Sequence, residues 1–140
     1  MSFTKYMHLE RYGNEEVDGI DVGVVHIFPK LDGTNASIWY EGMGEIGCGS
    51  RNRTLSLDKD NAGFMNWAVG QDNVQSYMVA HPDHILYGEW LVPHSLTTYR
   101  DDAWRKFYVF DVMKEGQYLH YNEYKDDIDE YGIDYIPCMT

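Results

Sequence analysis

The sequence is short of positive charge, of cysteine and of long apolar runs. Eleven Lys and Arg stand against 23 Asp and Glu, a formal net charge of −12. A protein that grips nucleic acid across its main surface neutralises phosphates with a basic face, so this balance excludes that class. A small basic pocket for a nucleotide remains open. Cys48 and Cys138, the two cysteines, are too few for a disulfide framework, and we expect reduced thiols. No apolar run approaches the roughly 20 residues that cross a bilayer. Residues Met1–Tyr6 carry no apolar signal-peptide core. These absences predict a cytoplasmic protein with no membrane partner. Internal repeats, low-complexity segments and linkers are also missing.

Aromatic residues are what the chain has in plenty: 12 Tyr, 5 Phe and 4 Trp in 140 residues. That length suits one domain, residues 1–140, with a core of its own. Residues 3–12 mix apolar and polar positions and fit a short helix or a strand. Residues 20–29 read as a strand buried on both faces. Residues 34–41 alternate, with Ala36, Ile38 and Tyr40 on one face and Ser37 and Trp39 on the other. Glu45–Ser50 reads as the returning strand. A first helix starts near Asp58 or Asp60, either of which can cap it. A second, from about Asp72, carries Val74, Tyr77 and Met78 on one face, and His81-Pro82 ends it. Strands follow over His84–Leu91 and Lys106–Met113, the latter pairing with Gln117–Tyr121 through the turn at Lys114-Glu115-Gly116. The crowd of Glu123, Asp126, Asp127, Asp129, Glu130 and Asp134 reads as a solvated acidic segment. Strands flanking a helical insertion predict an α+β fold with mainly antiparallel sheets and covering helices.

The chemistry centres on Pro29-Lys30-Leu31-Asp32-Gly33-Thr34-Asn35. Lys30 ends one strand at the mouth of a tight Asp-Gly turn. A solvated lysine has no need of that place, whereas one presented into a pocket does. Its amine is a nucleophile only when deprotonated, and burial or a neighbouring cation depresses its pKa. Taken alone, Lys-x-Asp-Gly is better read as an ordinary hairpin, and the rest of the chain changes that weighing. Arg51, Glu89 and Asp111 also stand at strand ends, as edge residues or as a convergent site. The run Phe107-Tyr108-Val109-Phe110 can supply a ring to stack on a base. Strict alternation puts Phe107, Val109 and Asp111 on one face and Tyr108, Phe110 and Val112 on the other, without saying which face holds a pocket. His81-Pro-Asp-His84 reads as surface rather than metal-binding, and we assign no metal ligands.

Together these segments resemble the covalent nucleotidyltransferase superfamily of ATP-dependent RNA and DNA ligases and mRNA capping enzymes. Lys30-Leu-Asp-Gly33 is similar to motif I, and its extension Thr34-Asn35 brings it closest to the RNA ligases. Gly49-Ser50-Arg51-Asn52-Arg53 resembles the segment of the motif Ia arginine. Leu86-Tyr87-Gly88-Glu89-Trp90 resembles motif III, and Phe107-Tyr-Val-Phe-Asp111 resembles motif IIIa. The order is the family's, over residues 1–113.

The resemblance implies an ATP-grasp-like ligase fold and an RNA ligase that works through a lysyl-AMP. Lys30 would attack the α-phosphate of ATP and release pyrophosphate, with Mg²⁺ or Mn²⁺ on the triphosphate. Glu89 would hold a ribose hydroxyl or orient metal-bound water. Arg51, for which Arg53 competes, would contact ribose or phosphate. Phe110 would stack on adenine with Asp111 behind it, and Asp32 and Gly33 would shape the pocket. RNA ends, a 5′-phosphate and a 3′-hydroxyl, would be the partners. The family's motif IV (Glu-Gly) and motif V (Lys-x-Lys) are not found. Gly132-Ile-Asp-Tyr-Ile-Pro137 resembles the chain just before motif IV. The expectation is therefore the N-terminal part of the domain, with a complementing C-terminal segment or a homo-oligomer covering the cut sheet. A non-catalytic nucleotide- or RNA-end-binding remnant is the other reading, and a DNA ligase or capping enzyme differs from the first only in substrate.

Overall fold

A computed structural model of the protein describes residues 3–7, 31, 33–92 and 104–138. The expected strand over 20–29, Lys30 and Asp32 lie outside them. The described chain runs β1 (Thr34–Gly42), β2 (Glu45–Ser50), α1 (Phe64–Ala68), α2 (Asp72–Ala80), β3 (His84–Leu91), β4 (Lys106–Lys114), β5 (Gln117–Tyr118) and α3 (Tyr121–Glu130). The strands form one antiparallel sheet in the order β2-β1-β3-β4-β5. This is the expected α+β architecture.

Side-chain alternation divides the sheet into two faces. Ala36, Ile38, Cys48, Leu86, Trp90, Phe107, Val109 and Val112 point to the helices, where they meet Phe64 and Ala68 of α1, Val74, Tyr77 and Met78 of α2, and Tyr124 and Ile128 of α3. All are buried. Each large side chain removed from water here contributes about 1.5–3 kcal/mol, so this face anchors the fold. The opposite face carries a smaller cluster of Trp39, Ile85, Tyr87 and Met113, with Phe3, Tyr6, Phe110 and Tyr118 packed against it.

Two local findings alter the sequence reading. First, α1 is only one turn and a half, from Phe64. The N-cap position is Gly63, not Asp58 or Asp60 as expected; Asp60, three residues ahead of it, still accepts from the backbone N–H groups of Met65 (2.8 Å) and Asn66 (2.9 Å) in the first turn. Second, the acidic tail is not simply solvated. Tyr121–Glu130 is the helix α3, with Tyr124 and Ile128 buried at i, i+4 spacing and the acidic side chains on its outer face. Glu123 accepts from the backbone N–H of His120 at 2.8 Å and closes the helix start.

The outer side of β4 is partly paired as well. β5 takes Met113 and Lys114, Leu119 N–H donates to Val112, and Val109 bridges in parallel to Tyr135. The segment that resembles the chain before motif IV thus already lies against the motif IIIa strand.

Candidate functional site

Cross-strand register lines the face away from the helices in rows. Asn35 on β1 pairs with Glu89 on β3, which pairs with Tyr108 on β4. The next row is Gly49, Ser37, Tyr87 and Asp111. Directly paired residues point to one side of a sheet, so Glu89 and Asp111 share this face.

Glu89 is held by Gly33, the residue just ahead of β1. The backbone N–H of Gly33 donates to Glu89 Oε2 at 3.0 Å. Gly33 lies so close to β3 that an added Cβ would sit 2.5 Å from the Trp90 carbonyl oxygen. A glycine is needed here for close approach. Gly33, just ahead of β1, and the Glu89 carboxylate on β3 are therefore one structural unit.

Asp111 and Phe110 sit at a β-bulge. Tyr87 pairs with Asp111 but the next residue, Gly88, pairs with Val109, so Phe110 is the inserted residue. The bulge breaks the strict alternation expected from the sequence. Phe107, Val109 and Val112 face the helices, whereas Phe110 packs with the cluster on the other side. Asp111 thus shares the face of Phe110 and not that of Phe107 and Val109. Burial pushes the Asp111 carboxyl up from its ordinary range, against hydrogen bonds from Tyr6 and the Val112 N–H that pull it down.

The arginines separate. Arg53 Nη1 donates to the Lys59 carbonyl at 2.6 Å and Nη2 to the Asp60 carbonyl at 3.0 Å, so its fork latches the loop ahead of α1. Arg51 is exposed at the end of β2 and makes no such contact among the described residues.

One participant was not legible in the sequence. Tyr6 donates its hydroxyl to Asp111 Oδ2 at 2.7 Å, from 105 positions away. Burial first, and the Asp111 charge second, raise the Tyr6 hydroxyl pKa well above its ordinary value, so Tyr6 remains a donor. No spacing rule joins two residues so far apart. Among the described residues no group of three or more His, Cys, Asp or Glu side chains is placed to hold a metal ion. No described helix is long and apolar enough to cross a membrane.

The sequence profile of the RNA ligase family matches residues 23–140. The chain belongs to the RNA ligase family. Solved ligases share its fold. An archaeal ATP-dependent RNA ligase superposes with a TM-score of 0.66 at 17% identity, over 82% of this chain and 31% of that one. A Naegleria gruberi RNA ligase solved with PPi gives 0.62 at 19%, over 82% and 36%. A lysine-to-alanine mutant of a Naegleria gruberi RNA ligase, solved with ATP and Mn, gives 0.61 at 18%, again over 82% and 36%. The chain thus spans about a third of the length of these relatives. No curated protein matches it.

Proposed function

We propose that residues 1–140 are the N-terminal part of an RNA ligase nucleotidyltransferase domain, and that Lys30 is its nucleophile. The Lys30 ammonium loses a proton, and the neutral amine attacks the α-phosphorus of ATP. A nitrogen–phosphorus bond forms, the α–β anhydride breaks, and pyrophosphate leaves. The AMP then passes to a 5′-phosphorylated RNA end, and a 3′-hydroxyl displaces it to seal the strands. The observation that carries this reading is the Gly33–Glu89 bond, which ties the turn after Lys30 to the motif III carboxylate.

The remaining roles follow from placement. Glu89, beside Asn35 and Tyr108, is set to hold a ribose hydroxyl. Arg51 offers a guanidinium that no other described group occupies. The half-buried Phe110 ring is the stacking surface, with Asp111 next to it. Gly33 and Asp32 shape the turn. A divalent ion, magnesium or manganese, would rest on the triphosphate oxygens with Glu89 as the carboxylate at hand, and would offset charge on the departing pyrophosphate. Positioning and charge compensation are the main demands of phosphoryl transfer.

The test is incubation of the chain with α-labelled ATP and magnesium or manganese, then denaturing electrophoresis and peptide mass spectrometry. Label should map to Lys30 and vanish in Lys30→Ala. Label on another lysine sinks the assignment of the nucleophile. The other reading is a nucleotide- or RNA-end-binding module that does not ligate. Retained ATP binding without any label would select it.

A further inference from the structure

The extended segment Phe3–Met7 lies across the sheet face that carries Phe110 and Asp111. Tyr6 is its knob. The ring sits among Tyr87 (5.0 Å between centroids), Phe110 (5.1 Å) and Tyr118 (5.4 Å), edge-on to the last two. Its hydroxyl reaches Asp111 Oδ2 at 2.7 Å. The segment is fastened on both sides of Tyr6. Tyr87 donates its hydroxyl to the Thr4 carbonyl at 2.7 Å, and the Met7 N–H donates to the Tyr118 hydroxyl at 3.1 Å. Phe3 packs edge-on to Trp39.

The sheet is shaped to seat this segment. A Cβ on Gly49 would lie 2.7 Å from the Phe3 ring, so β2 carries no side chain where Phe3 sits. The need for a brace is local. Phe110 is the inserted residue of the bulge and has no partner on β3. A bulge frees a side chain to be re-aimed, and leaves its direction to whatever packs on it. Within the cluster that packs on Phe110, Tyr6 meets both Phe110 and Asp111.

Resting on the reading that Phe110 and Asp111 receive the base of ATP, we infer that Tyr6 is a positioning residue that sets the Phe110 ring and the Asp111 carboxylate for that base. Tyr6 acts through these two residues and touches no phosphate. Its loss should therefore weaken recognition of the nucleoside and leave recognition of the triphosphate alone.

The experiment uses the full chain and equilibrium binding of ATP and of inorganic tripolyphosphate. Tyr6→Phe keeps the ring packing and removes only the hydroxyl. The bond positions Asp111 and does not touch ATP, so only part of its worth should appear in binding, and the ATP Kd should rise about 3- to 10-fold. The tripolyphosphate Kd should hold, while the melting temperature falls by the worth of one half-buried hydrogen bond without loss of the fold. Tyr6→Leu, which also removes the brace on the ring, should raise the ATP Kd further, and less than additively when combined with Phe110→Leu. An unchanged ATP Kd in Tyr6→Phe overturns the inference. So does an equal loss for ATP and tripolyphosphate, which is what a merely structural role would give. If Tyr6→Leu fails to fold, Tyr6→Phe decides alone. A wild-type chain that binds ATP without labelling Lys30 removes the ligase reading and leaves this inference to be judged by the same Kd values. A wild-type chain that binds no ATP ends both.

Discussion

The Gly33 N–H and the Glu89 carboxylate meet at 3.0 Å from positions 56 residues apart. The bond crosses from the turn that opens β1 to the middle of the site face on β3. Glu89 is thereby aimed by backbone, and backbone does not change rotamer.

That relationship gives the first prediction. In Gly33→Ala the new methyl would meet the Trp90 carbonyl at 2.5 Å and the Leu91 Cα at 3.1 Å, both backbone atoms. The turn has to move, and Glu89 loses its fixed partner. Overpacking of this kind costs about 1–3 kcal/mol of stability. A misplacement near 1 Å at a reacting centre costs on the order of 100-fold in rate. Lys30 labelling should therefore fall far more than the melting temperature does. Wild-type labelling by Gly33→Ala would show that the turn and Glu89 are not coupled in catalysis.

The arginines should part in the same two readouts. Arg53 holds two loop carbonyls beside Asp60, so Arg53→Ala should cost stability, about 0.5–1.5 kcal/mol per hydrogen bond before solvent competition reduces it. Arg51 has no such bond to lose. Arg51→Ala should leave the melting curve in place and cut labelling by an order of magnitude or more, as removal of a charge-stabilising group does. The reverse pattern, with Arg53 needed for labelling and Arg51 for stability, would exchange the roles assigned to them.

The strands and α2 were legible because their patterns are local. The alternation of Ala36, Ile38 and Tyr40 against Ser37 and Trp39, and the Val74, Tyr77, Met78 stripe, are set by the periods of strand and helix. The bulge at Phe110 was not legible. It adds one residue to a ladder whose partner strand lies elsewhere in the sequence, so strict alternation misplaced Asp111. The helix α3 was masked by its charge. Tyr121, Tyr124 and Ile128 did carry the spacing, but six acids in one stretch drew attention to solvation instead. The choice between Arg51 and Arg53 depends on which loop carbonyls lie within reach, which residue order does not record. The bond between Gly33 and Glu89 was not legible, because no spacing rule joins positions so far apart.

Asp60 gives a stability prediction with a sign. Burial works to raise its carboxyl, but the N–H groups of Asn66, Met65 and Asn61 and the charge of Arg53 outweigh it, and the net pKa lies below the ordinary value. A carboxyl lowered on folding contributes stability that is present above its unfolded pKa and is lost as pH falls through the folded one. Asp60→Ala should cost about 0.5–2 kcal/mol at neutral pH, the usual range for a lost cap. The gap between wild type and variant should shrink as the solution is taken well below pH 4. A gap that stays constant into that range would mean that the carboxylate charge is not what holds α1.

The stability that His84 contributes is lost in the same direction, as pH falls, but in a higher pH window. It is buried at the start of β3, and its Nδ1 shares a 2.8 Å hydrogen bond with the Tyr77 hydroxyl. The His81 ring lies 4.7 Å away, and the His81 Nδ1–H donates to the Tyr77 carbonyl at 3.0 Å. Burial chiefly, then His81, hold the His84 pKa below its ordinary value; Lys114 adds to this, while Asp83 and Asp127 oppose it. A base whose pKa falls on folding stays neutral in the native state while the unfolded chain takes up a proton. Its contribution is therefore full above the unfolded value, about 6.5, and is lost as pH falls from there toward the lowered one. His84→Gln cannot titrate and keeps a polar group beside Tyr77, so it should lose stability at pH 7.5 through imperfect packing. Between pH 7.5 and 5.5 the wild type should lose more stability than the variant, and the two melting temperatures should converge. Parallel melting temperatures across that interval would show that His84 takes up its proton as readily in the folded protein as in the unfolded chain.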